Sequence, residues 1–150
     1  MNKVYRHRSK SQDEYLGRVS EDGRVFESRL EAERYIGRVE LDSGKIFVSQ
    51  NGEERHLGRV EIDTGKIYLA RFGPDEHLGQ VHGNGKLYSH KWLSADQYLG
   101  HVEEMTSIAH GGAAFLLLVR PAMNEIKSRA KKTQTDHGEV DPGPAPAPAG

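Results

Sequence analysis

The feature that most constrains the fold is an internal repeat of 20 or 21 residues. A five-residue motif occurs five times: Tyr or His, then Leu or Ile, Gly, a polar residue and Val. Its glycine stands at Gly17, Gly37, Gly58, Gly79 and Gly100. Such self-similarity indicates one small structural unit that is built several times and packed against its own copies.

Each repeat predicts a β-hairpin. In residues 35–49, Gly-Arg-Val-Glu-Leu forms one extended run, Asp-Ser-Gly-Lys a turn, and Ile-Phe-Val a second β-rich run. Asp caps such a turn with its own side chain, and Gly supplies the positive φ. The same turn recurs at residues 21–24, 63–66 and 83–86. Polar connectors at 27–34, 49–55, 70–76 and 89–97 join the hairpins into a meander.

The two ends of the repeat region complement each other. Residues 3–5 (Lys-Val-Tyr) match the second strand of a unit, and residues 98–102 (Tyr-Leu-Gly-His-Val) match a first strand. Pairing them completes a fifth, split hairpin and removes both exposed sheet edges. We therefore predict a mainly β fold: a closed barrel or ring of about ten short antiparallel strands.

Strand alternation predicts which residues share a face. It places Gly37 on the same face as Tyr35 and Val39, with Ile36 and Arg38 on the other face. A glycine at the same site of five strands has two compatible explanations. Either another element approaches the sheet closely there, or the glycines only bend strands in a tightly curved barrel.

The apolar segment 105–119 does not follow the repeat, and it predicts a buried helix. Thr106 or Ser107 caps its start, and Pro121 stops or bends it. The run from Ile108 to Val119 is too short to cross a membrane. Ten strands give a barrel radius of about 10 Å, and a helix is about 10–12 Å across, so we expect a hydrophobic C-terminal helix along the barrel axis.

These elements define the domain organisation. Residues 1–120 form one barrel domain around the central helix at 105–119, and the apolar fraction of 35% suits its thin core. Residues 121–132 predict a short basic helix or extension, and the Pro/Ala-rich residues 133–150 a disordered tail. The basic N-terminus has no apolar run behind it, so we expect no signal peptide and a cytoplasmic location.

The Leu/Ile-Gly-Arg-Val strands, the Asp/Asn-x-Gly-Lys-Ile-Tyr turns, the split closing hairpin and the apolar segment after it resemble the bacterial β-flower family, best known through its four-fold β-flower domain. The resemblance covers roughly residues 1–120. It implies a shallow, symmetric barrel of repeated hairpins and no established activity. The repeat gives four hairpins and a split fifth, so four-fold and five-fold symmetry both remain open. More distantly, the plan is similar to the Tubby C-terminal domain, a barrel around a hydrophobic helix that binds phosphoinositides.

Little in the sequence indicates catalysis. The net charge of −1 provides no field for nucleic acid, and the absence of cysteine excludes thiol chemistry and Cys-ligated metal. No Gly-x-Ser-x-Gly motif occurs. His82 and His90 flank one hairpin and are a candidate pair, but we expect them to be solvated or hydrogen-bonded surface histidines. His110 is predicted to be a buried, hydrogen-bonded histidine. We expect no enzyme activity, cofactor or metal.

The remaining candidate site is a ring of cations at one repeat position, which we call the cationic rim: Lys3, Arg24, Lys45, Lys66 and Lys86. A second band, the arginine band, contains Arg18, Arg38, Arg59, Gln80 and His101. The rim has two interpretations. It binds anionic groups, or it only keeps the barrel soluble, because Asp22, Asp42 and Asp63 stand two or three residues before its cations and largely neutralise them. The functional hypotheses are a monomeric, non-enzymatic binding or scaffold module with a protein partner, or a Tubby-like module for anionic lipid head groups.

Overall fold

The computed structural model describes residues 2–30, 32–91 and 95–124, which form ten β-strands and one C-terminal helix. The strands are β1 (Lys3–Arg6), β2 (Glu14–Val19), β3 (Arg24–Arg29), β4 (Ala32–Val39), β5 (Lys45–Gln50), β6 (Glu53–Val60), β7 (Lys66–Leu69), β8 (Glu76–Val81), β9 (Lys86–Ser89) and β10 (Gln97–Glu103). All neighbours pair antiparallel, and β1 pairs with both β2 and β10. The predicted closed barrel is confirmed.

The ten strands make five units. Four are continuous hairpins, β2–β3, β4–β5, β6–β7 and β8–β9, and the fifth combines β10 with β1. The split unit keeps the register of the others, because Val102 pairs with Val4 as Val39 pairs with Ile46. The barrel therefore has five-fold rather than four-fold pseudo-symmetry. We call the end with the hairpin turns the turn end, and the end with the loops between units the connector end.

The turn glycine holds consecutive units together. Gly44 has a φ of 79°, and its carbonyl oxygen accepts a hydrogen bond from the Val60 amide at 2.9 Å. A Cβ at Gly44 would lie only 2.0 Å from the Val60 carbonyl oxygen. Gly23, Gly65 and Gly85 repeat this arrangement, all with positive φ. The predicted role of glycine in the turn is confirmed.

A β-bulge precedes every motif glycine. Ile46 pairs with Gly58 and Phe47 pairs with His56, so Leu57 has no partner across the ladder. The same shift occurs at the other four boundaries between units. Because the extra residue reverses the alternation, Tyr35 is 39% exposed while Gly37 and Val39 are buried. The predicted placement of Tyr35 on the glycine face was wrong.

The barrel interior holds the helix. It consists of α1 (Ile108–Ala114) and a π-helical stretch (Phe115–Val119), and Ala109–Val119 are all buried. Ser107, one of the two predicted caps, accepts a hydrogen bond from the Ala109 amide, so the helix begins at Ile108 within the predicted segment 105–119. Pro121 does not end it, because residues 120–124 are helical. The rest of the predicted segment 121–132 and the tail 133–150 lie outside the described residues.

The helix explains three of the five motif glycines. Phe115 faces Gly79, Leu116 faces Gly58 and Leu117 faces Gly37. A Cβ at Gly79 would lie 2.6 Å from Cε2 of Phe115 and 2.3 Å from the Tyr88 carbonyl oxygen on the neighbouring strand. Both explanations therefore hold for these three glycines, whereas Gly17 and Gly100 meet only the backbone of the neighbouring strand. Space is needed for the helix, and the bulged backbone leaves no room for a side chain.

The π-helical stretch fits the symmetry of the barrel. Successive residues from Phe115 to Leu117 face successive units, which are about 72° apart in a five-unit ring. An α-helix turns 100° per residue, whereas the wider π-helix turns only about 80°. Over these three residues, the π-helix thus places one side chain opposite each of three successive units.

Candidate functional site

The cationic rim lies beside the turns at the start of each second strand. All five of its residues are exposed. Three of them stand directly across the ladder from an arginine: Lys3 pairs with Arg18, Arg24 with Arg38, and Lys45 with Arg59. The predicted ring of equivalent cations therefore exists as a geometric feature of the outer surface.

The arginine band is already occupied by contacts within the barrel. The guanidinium carbon of each of its three arginines lies over an aromatic ring: Arg18 over Phe26 at 4.4 Å, Arg38 over Phe47 at 4.4 Å, and Arg59 over Tyr68 at 4.1 Å. Each Nε also binds a carboxylate from the following unit boundary: Glu33 at 2.7 Å, Glu54 at 2.7 Å and Asp75 at 3.2 Å. These bonds hold the pKa of Glu33 and Glu54 below the usual range. The band joins neighbouring units and has little capacity for an external anion.

The lysines of the rim are less engaged. Lys45, Lys66 and Lys86 make no ion pair with any residue in the described part of the chain, whereas Arg24 lies 3.4 Å from Asp22. Eight carboxylates nevertheless lie near the five rim cations and the three arginines across the ladder from them, so the side-chain charges balance to zero: Glu21, Asp22, Glu40, Asp42, Glu61, Asp63, Glu103 and Glu104. The turn end is not a positive surface as a whole.

Two shallow grooves lie between neighbouring turns. One of about 560 Å³ contains Arg24 and Arg38 together with Asp22, Glu40 and Asp42. The other, of about 400 Å³, is lined by residues that include Ile62, Asp63, Gln80, His82 and Ile108. Both linings mix charged, polar and apolar side chains, so neither groove concentrates one kind of chemistry.

The first residue of each motif packs against an aromatic residue of the preceding strand. The ring pairs are Tyr5–Tyr15 (5.5 Å), Phe26–Tyr35 (5.9 Å), Phe47–His56 (5.5 Å), Tyr68–His77 (5.2 Å) and Tyr88–Tyr98 (5.5 Å). Burial raises the pKa of the Tyr15, Tyr35 and Tyr98 hydroxyls. These rings form a packed outer belt, so the Tyr/His position of the motif serves packing.

His82 and His90 are exposed and do not meet, as expected for separate surface histidines. His82 packs on Tyr88 at 4.6 Å, whereas His90 stacks on His77 at 4.2 Å, at the opposite end of the hairpin. His77 donates through Nε2 to the Gly79 carbonyl oxygen at 3.0 Å. Burial, and then His90, lower the pKa of His77. Among residues 2–30, 32–91 and 95–124, no three His, Asp or Glu side chains have the geometry of a metal site.

Two histidines meet one carboxylate where the barrel closes. Nδ1 of His7 lies 3.3 Å from Oδ1 of Asp13, and Nδ1 of His101 lies 3.6 Å from Oδ2. His7 follows β1, Asp13 precedes β2, and His101 lies on β10. The three residues therefore connect β1 to both of the strands beside it, β2 and β10.

His110 belongs to a buried polar network, which we call the helix-start cluster. Its Nε2 lies 3.2 Å from the Glu21 carbonyl oxygen and its Nδ1 lies 3.2 Å from the Thr106 hydroxyl. Asn2 donates to the Glu21 carboxylate at 3.0 Å and accepts from the Thr106 amide at 3.2 Å. The predicted buried, hydrogen-bonded histidine is confirmed. The cluster joins the residue before β1, the first turn and the helix start, which gives it a structural role.

Two large apolar side chains project from the connector end, and we call them the connector tips. Leu30 is 99% exposed and Phe72 is 101% exposed. Leu30 also has a φ of 49°, in a loop that corresponds to the Asn51–Gly52 turn of the next unit. Leucine at positive φ costs on the order of 1–3 kcal/mol, whereas Asn and Gly fit this position well.

Sequence reasoning missed the connector tips because it treated residues 27–34 and 70–76 as polar connectors. A signal for Leu30 was present. Aligning residues 29–32 with 50–53 places Leu30 at the position of Asn51, where a two-residue hairpin turn favours Asn or Asp.

Within the described residues, no helix combines the length and apolar character that crossing a membrane requires. Comparisons of the chain with protein-family models, curated proteins and solved structures give no match. The resemblance to the β-flower family therefore rests on the repeat itself, and function is argued from the surface of the barrel.

Proposed function

We propose that this protein is a non-enzymatic binding module of the β-flower type, which docks a protein partner at its connector end. The observation that carries this proposal is Leu30. Its side chain is 99% exposed, and its backbone has the strained positive φ that asparagine takes in the next unit. A residue that lowers stability and is buried nowhere in its own barrel is suited to a contact with another molecule.

The other parts of the barrel support this choice by having internal partners. The helix fills the interior, the arginine band is paired with carboxylates, and the outer belt is packed ring against ring. The helix-start cluster satisfies its own hydrogen bonds. The connector tips are the large apolar side chains in the described chain with the greatest exposure.

The spacing of the tips suits a protein partner. Leu30 and Phe72 lie on the β3–β4 and β7–β8 loops, separated around the ring by the β5–β6 loop. A barrel radius of about 10 Å puts these loops roughly 20 Å apart. An ordinary protein interface covers about 800 Å² on each partner and spans that distance. Charged residues around the tips would form its polar rim.

The test compares partner retention by four tagged barrels: wild type, Leu30→Asn, Phe72→Ser and Leu41→Asn. Leu41 is the matched control, because it is a partly exposed leucine (38%) at the turn end. Quantitative pull-downs from the source cells should give a protein that wild type and Leu41→Asn retain and both tip variants lose. Equal retention by all four barrels would contradict docking at the connector end. Native mass spectrometry of the purified chain tests the expected monomeric state.

A second candidate is binding of anionic lipid head groups by the cationic rim. Lys45, Lys66 and Lys86, which make no ion pair within the described ranges, favour it, while the carboxylates of the turn end oppose it. Flotation with phosphatidylserine vesicles, with and without a phosphoinositide, tests it at low salt. Binding that Lys66→Glu abolishes, and that the connector-end control Lys91→Glu preserves, would support this function. No flotation of the wild-type chain would exclude it.

A further inference from the structure

The β5–β6 loop carries an Asn–Gly pair with unusual freedom. Asn51 and Gly52 are exposed and form the turn between the paired residues Gln50 and Glu53. Neither the Asn51 side chain nor the Gly52 amide hydrogen-bonds to a residue in the described ranges. Apart from Gly52 itself and its two chain neighbours, no atom lies within 4 Å of its Cβ position. The side-chain amide and the following backbone nitrogen are therefore unhindered.

We propose that Asn51 is a chemical modification site, at which the side-chain amide deamidates spontaneously in the folded protein. The Gly52 nitrogen attacks Cγ of Asn51, a C–N bond forms, and the Cγ–Nδ2 bond breaks. Nδ2 leaves as ammonia with the proton of the Gly52 amide, which gives a five-membered succinimide. Water then opens the ring at either carbonyl, producing aspartate or isoaspartate. The only co-reactant is water.

The chain contains its own control for this reaction. Asn84–Gly85 has the same two residues, also in a hairpin connection, but both reacting groups are held. The Asn84 side-chain oxygen accepts from the Lys86 amide at 3.1 Å, and the Gly85 amide donates to the His82 carbonyl oxygen at 2.9 Å. Gly85 is also buried, and its Cβ position lies 2.3 Å from the Val102 carbonyl oxygen. The fold therefore protects Asn84 and leaves Asn51 reactive.

The modification changes charge and backbone length at the connector end. Aspartate adds a negative charge beside Glu53 and Glu54, and Glu54 already binds Arg38 at 2.7 Å. Isoaspartate adds a backbone carbon between Gln50 and Glu53, whose pairing leaves space for a two-residue turn. We expect that product to open the end of the β5–β6 hairpin. The inference does not depend on the proposed docking function.

The test ages the full chain in mildly alkaline buffer, once folded and once unfolded in urea. Peptide mapping by mass spectrometry then measures the deamidation rate of each asparagine. In urea, both asparagines should deamidate at similar rates because each is followed by glycine. In the folded chain, Asn51 should keep its rate, while Asn84 slows by about tenfold or more because two hydrogen bonds must open first. Folding that slows Asn51 as much as Asn84 would overturn the inference, and so would a faster reaction at Asn84.

A second measurement concerns the product. Hydrogen exchange of residues 50–53 should rise in the isoaspartate fraction and stay at the wild-type level in Asn51→Asp, which adds the charge without the extra carbon. Asn51→Gln removes the five-membered ring closure and should show no modification at this loop. Modification of the loop in Asn51→Gln at the wild-type rate would contradict the assignment.

Discussion

The carbonyl oxygen of Asn2 accepts a hydrogen bond from the Val19 amide at 3.1 Å, as the carbonyl oxygen of Gly44 does from Val60 in a continuous hairpin. Asn2 has a φ of 46°, so it also matches the backbone of the turn glycine it replaces. Asparagine accepts this conformation more readily than most residues. Its side chain then adds what glycine cannot supply, bonds to Glu21 and to the Thr106 amide. Asn2 therefore joins the split unit to β2 in the way that the turn glycine joins the other units.

Replacing Asn2 should test this closure. We expect Asn2→Ala to lower the free energy of unfolding by about 2–4 kcal/mol, through two lost hydrogen bonds and a less favourable positive φ. Asn2→Gly keeps the backbone conformation and should lose only about 1–2 kcal/mol. Urea titration measures both. Equal losses in the two variants would show that the backbone conformation contributes nothing.

A methyl group at Gly37 should be far more damaging. Its Cβ would lie 2.3 Å from the Phe47 carbonyl oxygen and 2.9 Å from Cδ1 of Leu117. Gly37→Ala should therefore cost about 3 kcal/mol or more, because both the sheet and the helix must shift. Adding Leu117→Ala should not rescue it, since the closer contact is with the backbone. Thermal unfolding followed by circular dichroism measures the loss.

The matched control for Gly37 is Gly83, which lies in a turn with no atom within 4 Å of its Cβ position and no positive φ. Gly83→Ala should leave stability unchanged or raise it by about 0.5 kcal/mol, because alanine restricts the unfolded chain. A large loss at Gly83 would mean that any glycine replacement damages this barrel, and the close approach at Gly37 would lose its support.

Much of the fold was predictable because its signals are local and repeated. The Asp-x-Gly-Lys turns specify hairpins by their own chemistry, and the half-units at residues 3–5 and 98–102 specify closure. The apolar segment after them specifies a helix that must be buried. The size of a ten-strand ring then leaves one place for it.

The bulges and the π-helix were not predictable in this way, because they arise between elements. The bulge at Leu57 depends on the register between β5 and β6, and it reverses the alternation on which face assignments rest. The π-helix depends on matching residues such as Leu117 to units about 72° apart. Of the candidate sites, the sequence placed the cations in a ring. It did not reveal that Arg38 stacks on Phe47 and donates a hydrogen bond to Glu54.

Stability should depend on pH through His77. Burial and His90 lower its pKa in the folded state, whereas in the unfolded chain it takes up a proton near the ordinary value of 6.5. At a pH between the folded-state and unfolded-state pKa values of His77, the unfolded state binds more protons. The free energy of unfolding therefore falls as the pH drops below 6.5. We expect His77→Phe to flatten this slope in urea titrations, and His90→Gln to reduce it partly. A slope unchanged in His77→Phe would assign the effect to other groups.

The Leu30→Asn variant separates the stability of the barrel from its proposed binding of a partner. Because Leu30 is 99% exposed at a φ of 49°, the replacement removes almost no buried surface and relieves backbone strain, so we expect a gain of about 1 kcal/mol. Leu41→Asn, at a leucine that is 38% exposed and has no positive φ, should instead lower stability by about 1 kcal/mol, because it removes partly buried apolar surface. A more stable Leu30→Asn barrel that has lost its partner would identify the leucine as kept for binding at a cost in stability. A less stable one would show that the turn is not strained, and the main argument for docking at the connector end would fail with it.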